Sequence, residues 1–300
     1  MVNDFVTIND VGPRDGLQND PTTVTVEDRV RLITALVDAG VPAVEAASFV
    51  SPRAVPKMAG ATELFAALDQ GKAELSALVP NRKGYEMARS AGARSIAVVL
   101  SATDTMNRKN INMTLDETIS TCTDIMQQAN VDGLLARAYI SVAVECPFEG
   151  LVSPDVVERL AEQMFRHGAQ ECIIADTIGA ANPAQVKILF GRLVKSFETA
   201  RLSAHFHDTR AMALANIWQA VESGVRKFDA SIGGLGGCPF APGAAGNVAT
   251  EDVVYMLEQA GLDTGINMNK LMRCVDLVES MVSHPAGGRT RAYQLKQIAG

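Results

Sequence analysis

The chain alternates between short apolar runs of strand length and longer segments in which apolar residues recur with a helical period. Several short runs are nearly continuous in valine, isoleucine, leucine and alanine, which is typical of parallel strands buried on both faces. The eight predicted strands are Val2–Val11, Ala43–Phe49, Ala73–Val79, Ser95–Ser101, Leu134–Val144, Glu171–Ala175, Leu202–His207 and Lys227–Ile232.

The segments between the predicted strands carry signals for helix ends. Apolar residues recur at intervals of three and four between Val26 and Val37, which marks one helical face. Thr114 and Glu117 predict a capping box, in which each side chain bonds a free backbone N–H. A glycine that can close a helix in the left-handed conformation follows four segments, at Gly40, Gly92, Gly168 and Gly224.

About eight strand–helix units predict a (β/α)8 TIM barrel. The alternative, an open doubly wound sheet, predicts a dinucleotide-binding glycine motif after an early strand, and the sequence has none. Because no linker-like stretch divides the chain, residues 1–300 are expected to form a single domain. Within it, residues 267–300 are expected to be a C-terminal extension made of one more helix and a polar tail.

Composition narrows the class of protein. The 300 residues are 47% hydrophobic, which is enough for a large core, and the net charge of −7 disfavours nucleic acid or an anionic membrane as a partner. No apolar run approaches the roughly 18 residues of a membrane span. The five cysteines are scattered, and the start of the chain does not resemble a signal peptide. These features predict a cytoplasmic enzyme.

In a TIM barrel the active site lies at the carboxyl ends of the strands. His205 and His207 stand there, two residues apart, so both side chains point to the same side of the strand and can share a metal ion. Two core histidines bonded to backbone carbonyls are the alternative. Asp208, which follows, is expected to cap the next helix.

The end of the first predicted strand carries an adjacent arginine and aspartate within the sequence VGPRDGLQN. Arg14 can stabilise a developing oxyanion, and Asp15 can give a carboxylate oxygen to a hard metal ion. A surface turn explains the same residues equally well, because glycine, proline and aspartate all favour turns.

Two further carboxylates stand on predicted strands. Glu45 lies in an otherwise apolar or small run and needs a partner, either Arg14 or a metal-bound water, although a structural ion pair is as good an explanation. Asp176 ends a strand and is expected to support the site or to cap the next turn.

A glycine-rich loop follows the last predicted strand, from Gly233 to Asn247. It does not match the dinucleotide motif GxGxxG, and its glycines predict unusual backbone angles. Cys238 within it can transfer a proton if a nearby cation lowers its pKa. A small apolar filler is the alternative role for this thiol.

Taken together, these clusters resemble the 3-hydroxy-3-methylglutaryl-CoA (HMG-CoA) lyase family. The matching stretches span most of the chain: VGPRDGLQN at 11–19, SFVSP at 48–52, RKNIN at 108–112, ECPFEG at 145–150, DTIG at 176–179, HFHDT at 205–209 and GLGGCPFAPGAAGNVATED at 234–252. The HxH pair also occurs in the wider family of isopropylmalate and homocitrate synthases. The glycine loop together with VGPRDGLQN is much more specific to the lyases.

The resemblance implies a TIM barrel with a divalent metal, Mg or Mn, an acyl-CoA substrate and a homodimer. Its implied metal ligands are Asp15, His205, His207 and Asn247. Arg14 would hold the thioester carbonyl as it becomes an enolate, and Gln18 would help to bind the substrate. Cys238 would donate or accept a proton, with Glu45 and Asp176 in supporting roles near it. The pathway stays open between leucine degradation, ketone-body formation and a more specialised role.

The sequence departs from the family pattern near the expected pocket. Arg210-Ala211-Met212 stands where the family has Tyr-Gly, and Glu145 replaces a glycine; Ala46-Ala47 and Ala180-Ala181 also differ. Arg210 or Glu145 could therefore favour a related 3-hydroxyacyl-CoA.

Two other functions are weighed against a lyase. A synthase that joins acetyl-CoA to a 2-oxo acid would generally carry an extra C-terminal regulatory domain. An inactive metal- or acyl-CoA-binding barrel would be expected to have lost Arg14, Cys238 or a metal ligand, and all are present.

Overall fold

The computed structural model describes residues 5–237 and 246–299. Eight parallel strands close into a barrel. These strands are β1 Thr7–Asp10, β2 Ala43–Ser48, β3 Glu74–Leu78, β4 Ser95–Ser101, β5 Leu135–Ser141, β8 Glu171–Asp176, β9 Leu202–Phe206 and β10 Lys227–Ala230. Around the barrel they follow the order β1-β10-β9-β8-β5-β4-β3-β2. Each overlaps one of the eight predicted strands, so the predicted TIM barrel is confirmed.

Helices surround the barrel and fill the intervals between its strands. They are α1 Val26–Asp38, α2 Ala61–Ala67, α3 Arg82–Ser90, α4 Asp104–Ile111, α5 Leu115–Val131, α6 Pro154–Arg166, α7 Pro183–Ser196, α8 Ala213–Glu222, α9 Thr250–Gln259, α10 Met268–Met281 and α11 Arg289–Ala299. A short hairpin that the sequence did not predict joins β6 Glu145–Cys146 to β7 Gly150–Leu151 between β5 and α6.

The predicted helix ends are present in the structure. Thr114 and Glu117 form the capping box of α5, and the Asp208 side chain accepts a hydrogen bond of 3.0 Å from the backbone N–H of Ala213 at the start of α8. The four glycines predicted to close helices all have positive φ angles, from 85° at Gly92 to 108° at Gly168. These capping residues and glycines therefore mark where the helices between the barrel strands begin and end.

The C-terminal segment differs in part from the prediction of one helix and a polar tail. Met268–Met281 forms the expected helix α10, and a second helix, α11, follows it. The Asp252 carboxylate accepts hydrogen bonds from the backbone N–H groups of Arg289 and Thr290. A carboxylate there satisfies N–H groups that a helix start leaves free and opposes the positive end of the helix dipole.

The apolar core lies mainly between the strands and the helices, with a smaller cluster of Ala97, Tyr139 and Ile173 apart from it. Among the described residues, no helix is both long and apolar enough to span a membrane.

Candidate active site

The sequence VGPRDGLQN forms a buried turn rather than a surface one. Residues Gly12–Gly16 make a single π-helical turn directly after β1, and the carbonyl of Val11 accepts hydrogen bonds from the N–H groups of Arg14, Asp15 and Gly16. A Cβ atom at Gly16 would come within 2.9 Å of Leu235 and Ser231, so only glycine lets the turn pack this closely on the loop after β10. The turn thereby fixes Arg14 and Asp15 at the carboxyl end of the barrel.

Arg14 is buried between two carboxylates. Its Nε pairs with Oε1 of Glu45, and its Nη1 lies 2.5 Å from Oδ1 of Asp15. Burial alone would lower the pKa of Arg14, but these two carboxylates outweigh it and raise the pKa above its usual value. Arg14 is therefore held as a cation, and the expected Arg14–Glu45 pairing is present.

Glu45 lies inside the barrel on β2, where the register with β3 shifts between Glu45 and Ala47. Such irregularities re-aim side chains and are frequent next to active sites.

Asp15, His205 and His207 form a group able to hold a metal ion. Each residue offers one potential ligand atom, and these three atoms all lie within 4.8 Å of one another. The histidines come from β9 and the residue after it, and both are nearly fully buried. The predicted HxH pair is thus brought together with the predicted aspartate, although they are far apart in sequence.

The chemistry of these donors fits a cation. Nδ1 of His207 is buried and has no hydrogen-bond partner among the described residues, an arrangement that is costly unless something binds it. Burial together with nearby His205 lowers the pKa of His207 to about 4, so its ring is neutral. For Asp15, burial raises the pKa, but Arg14 and the two histidines outweigh this and lower it to about 2. A neutral imidazole and an ionised carboxylate are the protonation states that a metal ligand needs.

Asn247, the fourth predicted ligand, adjoins this group. Its amide nitrogen donates to Oδ2 of Asp15 at 2.9 Å and to the carbonyl of Leu235 at 3.1 Å. Its side-chain oxygen is the atom that a cation would take, because oxygen donors suit Mg and Mn.

Two buried polar residues at the site were missed by the sequence analysis. The Tyr139 hydroxyl lies 3.1 Å from Oε2 of Glu45 and 2.7 Å from Oδ2 of Asp229. Asp229 in turn contacts Nδ1 of His205 at 3.1 Å. The signal for Tyr139 was present in the sequence, because Arg137, Tyr139 and Ser141 alternate along one strand and must share a face.

A cavity of about 260 Å³ opens beside the metal-ligand group. Its polar wall includes Arg14, Asp15, Gln18, His205 and His207, all singled out from the sequence. Its lining also includes the apolar residues Val50, Val55, Leu78, Pro80, Val99, Met106 and Ile111. The cavity can therefore take a molecule with one charged or hydroxylated end and one apolar part.

The remaining predicted residues are placed differently. Both Asp176 oxygens accept backbone hydrogen bonds, at 2.9 Å each, from Ala180 and Ala181, so this side chain shapes the loop before α7 and does not line the cavity. Cys238 lies outside the described residues.

The departures Arg210 and Glu145 also stand apart from the cavity lining. Nη1 of Arg210 donates to the carbonyls of Ile178 and Gly179, and Glu145 belongs to the small hairpin. Neither side chain therefore gives a structural reason to expect a different acyl group.

Comparison with known proteins identifies the family. The hydroxymethylglutaryl-CoA lyase YngG of Bacillus subtilis is 42% identical over 285 residues, which cover 95% of each chain. The (R)-citramalyl-CoA lyase of Chloroflexus aurantiacus is 41% identical over 291 residues, covering 93% of this chain and 92% of the relative. The crystal structure of hydroxymethylglutaryl-CoA lyase from Pseudomonas aeruginosa superposes with a TM-score of 0.96 and 36% identity, covering 99% of each chain.

The family described as HMGL-like matches residues 5–278, nearly the whole described chain up to the last turn of α10. The resemblance found in the sequence is therefore confirmed, and the protein belongs to the HMGL-like family of carbon–carbon lyases.

Proposed function

We propose that this protein cleaves 3-hydroxy-3-methylglutaryl-CoA to acetyl-CoA and acetoacetate with the help of a divalent metal ion. One observation carries the proposal. A buried, positively charged arginine and a carboxylate–imidazole group share the wall of one cavity at the carboxyl end of the barrel. Lyases of this family that resemble the chain over nearly its whole length support the same reaction.

Asp15, His205, His207 and Asn247 are the proposed metal ligands, and Mg or Mn suits their oxygen and imidazole donors. When bound, such an ion would supply Lewis acidity toward the oxygens of the substrate. The protein's contribution is to hold these donors in place before the ion arrives, with Asp15 ionised and His207 neutral.

In the proposed reaction the C3 hydroxyl loses its proton and its oxygen becomes the ketone oxygen of acetoacetate. The C2–C3 bond breaks, and its electron pair passes to C2 and the thioester carbonyl as an enolate. Arg14 is assigned to that enolate oxygen. Its Nε and Nη1 are engaged with Glu45 and Asp15, so its Nη2 is the donor that we direct at the substrate. A preorganised cation of this kind costs no rearrangement when charge develops.

Protonation of C2 then gives acetyl-CoA. Cys238, which belongs to the glycine-rich sequence and lies outside the described residues, is proposed to donate or accept a proton in the reaction. Gln18 on the cavity wall is proposed to bind the substrate. Glu45 holds Arg14, and Asp176 supports the site through the backbone of the neighbouring loop. These roles rest on the family resemblance together with the placements described above.

Three further points remain proposals. We propose that residues 1–300 act as one domain, because α10 packs on α1 and α11 packs on α9. A reducing compartment such as the cytoplasm is supported by the four described cysteines, which are free and buried. A homodimer is expected from the family resemblance, and light scattering on the purified protein tests it.

The substrate is tested by comparing kcat/KM for HMG-CoA with that for citramalyl-CoA, whose acyl chain is one methylene shorter. A cavity matched to the longer acyl group should prefer HMG-CoA by about 10-fold or more, the usual effect of one methylene. A higher kcat/KM for citramalyl-CoA would contradict the proposed substrate while leaving the reaction class intact.

A further inference from the structure

The buried carboxylate of Asp229 lies directly behind one of the proposed metal ligands. We infer that Asp229 is a positioning residue that fixes the tautomer of His205, so that its Nε2 is unprotonated and available to the metal ion. The inference rests on one part of the proposed function, namely that His205 is a metal ligand.

The two side chains meet because their strands pair in register. Asp229 on β10 is the backbone partner of His205 on β9. Oδ2 of Asp229 lies 3.1 Å from Nδ1 of His205, with both residues buried. An ionised carboxylate can only accept a hydrogen bond, so Nδ1 must carry the ring proton. Whenever the ring is neutral, its Nε2 is therefore unprotonated.

Asp229 is itself held from two sides. Asn9 on β1, its partner on the other neighbouring strand, donates to Oδ1 at 2.7 Å. The Tyr139 hydroxyl contacts Oδ2 at 2.7 Å. Nη2 of Arg137 lies 3.9 Å from Oδ1, which favours the ionised carboxylate. The Asp229 carboxylate that faces His205 is therefore held in place and kept charged by the protein's own residues, without a bound metal ion or substrate.

Asp229 acts from outside the substrate cavity. It does not line that cavity, whereas His205 does. Instead it borders a small chamber of about 40 Å³, together with Asn9 and Arg137. A residue in this position acts on the chemistry through the cavity-lining residues that it contacts, His205 and Tyr139. Carboxylate–histidine pairs of this kind orient ligands and raise their basicity at metal sites.

The change Asp229→Asn should reverse the tautomer. If Asn9 keeps donating to the carbonyl oxygen of the new amide, the amide NH2 group faces His205. Nδ1 must then accept a hydrogen bond, which moves the ring proton to Nε2, where it blocks the metal. Asp10→Asn is the matched control, because Asp10 is also a buried barrel carboxylate but bonds Gly12 and Thr250 rather than a histidine.

The tautomer is read directly by NMR of metal-free protein labelled with ¹⁵N-histidine, with His205→Gln to assign the signal among the four histidines. The expected result is Nδ1–H in the wild type and in Asp10→Asn, and Nε2–H in Asp229→Asn. An Nε2–H ring in the wild type would overturn the inference without any variant, so it stays testable even if Asp229→Asn fails to fold.

Calorimetric titration with Mn²⁺ tests the consequence for the metal. Asp229→Asn should bind Mn²⁺ about 10- to 100-fold more weakly than the wild type, as is usual when such a supporting group is lost. In a protein that already carries His205→Ala, adding Asp229→Asn should not weaken Mn²⁺ binding any further. An equal loss in that background would show that Asp229 acts on the fold instead, and would overturn the inference. If His205→Ala alone bound Mn²⁺ as tightly as the wild type, His205 would not be a metal ligand. The NMR experiment would still decide, independently, whether Asp229 fixes the tautomer of His205.

Discussion

Asn247 donates a hydrogen bond of 2.9 Å to the carboxylate of Asp15, and this bond joins the loop after β10 to the turn after β1. A second bond from the same amide nitrogen, to the carbonyl of Leu235, fixes the direction of the side chain. The two proposed ligands therefore hold each other in place, and segments 232 residues apart in the sequence meet at the proposed metal site.

Asn247→Ala should weaken Mn²⁺ binding by about 10-fold or more, because it removes one oxygen ligand and frees the Asp15 carboxylate. Calorimetric titration measures the change. Asn267→Ala is the control, since Asn267 only caps α10 by accepting from the N–H of Lys270. It should lower stability by about 1 kcal/mol and leave the metal affinity unchanged. Equal affinities for wild type and Asn247→Ala would contradict the assignment of Asn247.

Arg14→Lys should lower kcat for HMG-CoA cleavage by about 100-fold or more while Mn²⁺ still binds. Lysine keeps the charge but loses the fork that reaches Glu45, Asp15 and the substrate at once. Arg210→Lys is the matched control, because Arg210 donates to the backbone carbonyls of Ile178 and Gly179 and lies outside the cavity lining. Rapid turnover by Arg14→Lys would show that a point charge suffices there.

Ala211→Gly should stabilise the protein by about 1 kcal/mol, which is the strain of a left-handed residue with a Cβ atom. Ala211 has a φ angle of 56°, in the left-handed region that favours glycine. Thermal unfolding should show a rise in Tm of about 2 °C. The control Ala220→Gly, at a buried position in the last turn of α8, should instead lose about 1 kcal/mol. A lower Tm for Ala211→Gly would mean that the methyl group contributes packing that offsets the strain.

His284 should stabilise the fold more in acid than in alkali. Its Nε2 lies 2.7 Å from Asp20, and the hydrogen bond to this carboxylate raises the pKa of His284 above its usual value. A raised histidine pKa means that the folded state binds the proton more tightly. The stabilisation is therefore complete below the unfolded pKa of about 6.5 and is lost as the pH rises through the folded value.

Denaturant unfolding of His284→Gln tests this at pH 6 and pH 9. The variant should be less stable than the wild type at pH 6, with a smaller difference at pH 9. Asp20→Asn should show the same trend, and the double variant should lose no more than either change alone. A larger effect at pH 9 would reverse the sign and contradict the pairing.

The sequence predicted the units of the barrel because their signals are local. Continuous apolar runs, capping residues such as Thr114, and helix-closing glycines such as Gly168 act within a few residues of themselves. Strand ends were less certain, since β1 spans only Thr7–Asp10 within the predicted Val2–Val11, of which residues 2–4 lie outside the described part of the chain. The second C-terminal helix was missed because its start depends on Asp252, 37 residues earlier in the chain.

The site was predictable only where one strand end gathers unusual polar residues. His205 and His207 stood out because packing does not require them, and Arg14 with Asp15 stood out at a strand end. The alternation of Arg137, Tyr139 and Ser141 could have placed Tyr139 on a polar face, but the partners of Tyr139 and Asp229 lie on other strands and could not be identified from it. Whether a buried polar residue is paired depends on strand register across the whole fold, which no local pattern contains.

The central claim is tested most directly by following cleavage of HMG-CoA after the protein has been stripped of metal with a chelator. The account predicts that the stripped enzyme is inactive, and that added Mg²⁺ or Mn²⁺ restores release of acetoacetate and acetyl-CoA in equal amounts. Full cleavage by the metal-free protein, or no cleavage when the metal is shown to be bound, would contradict it.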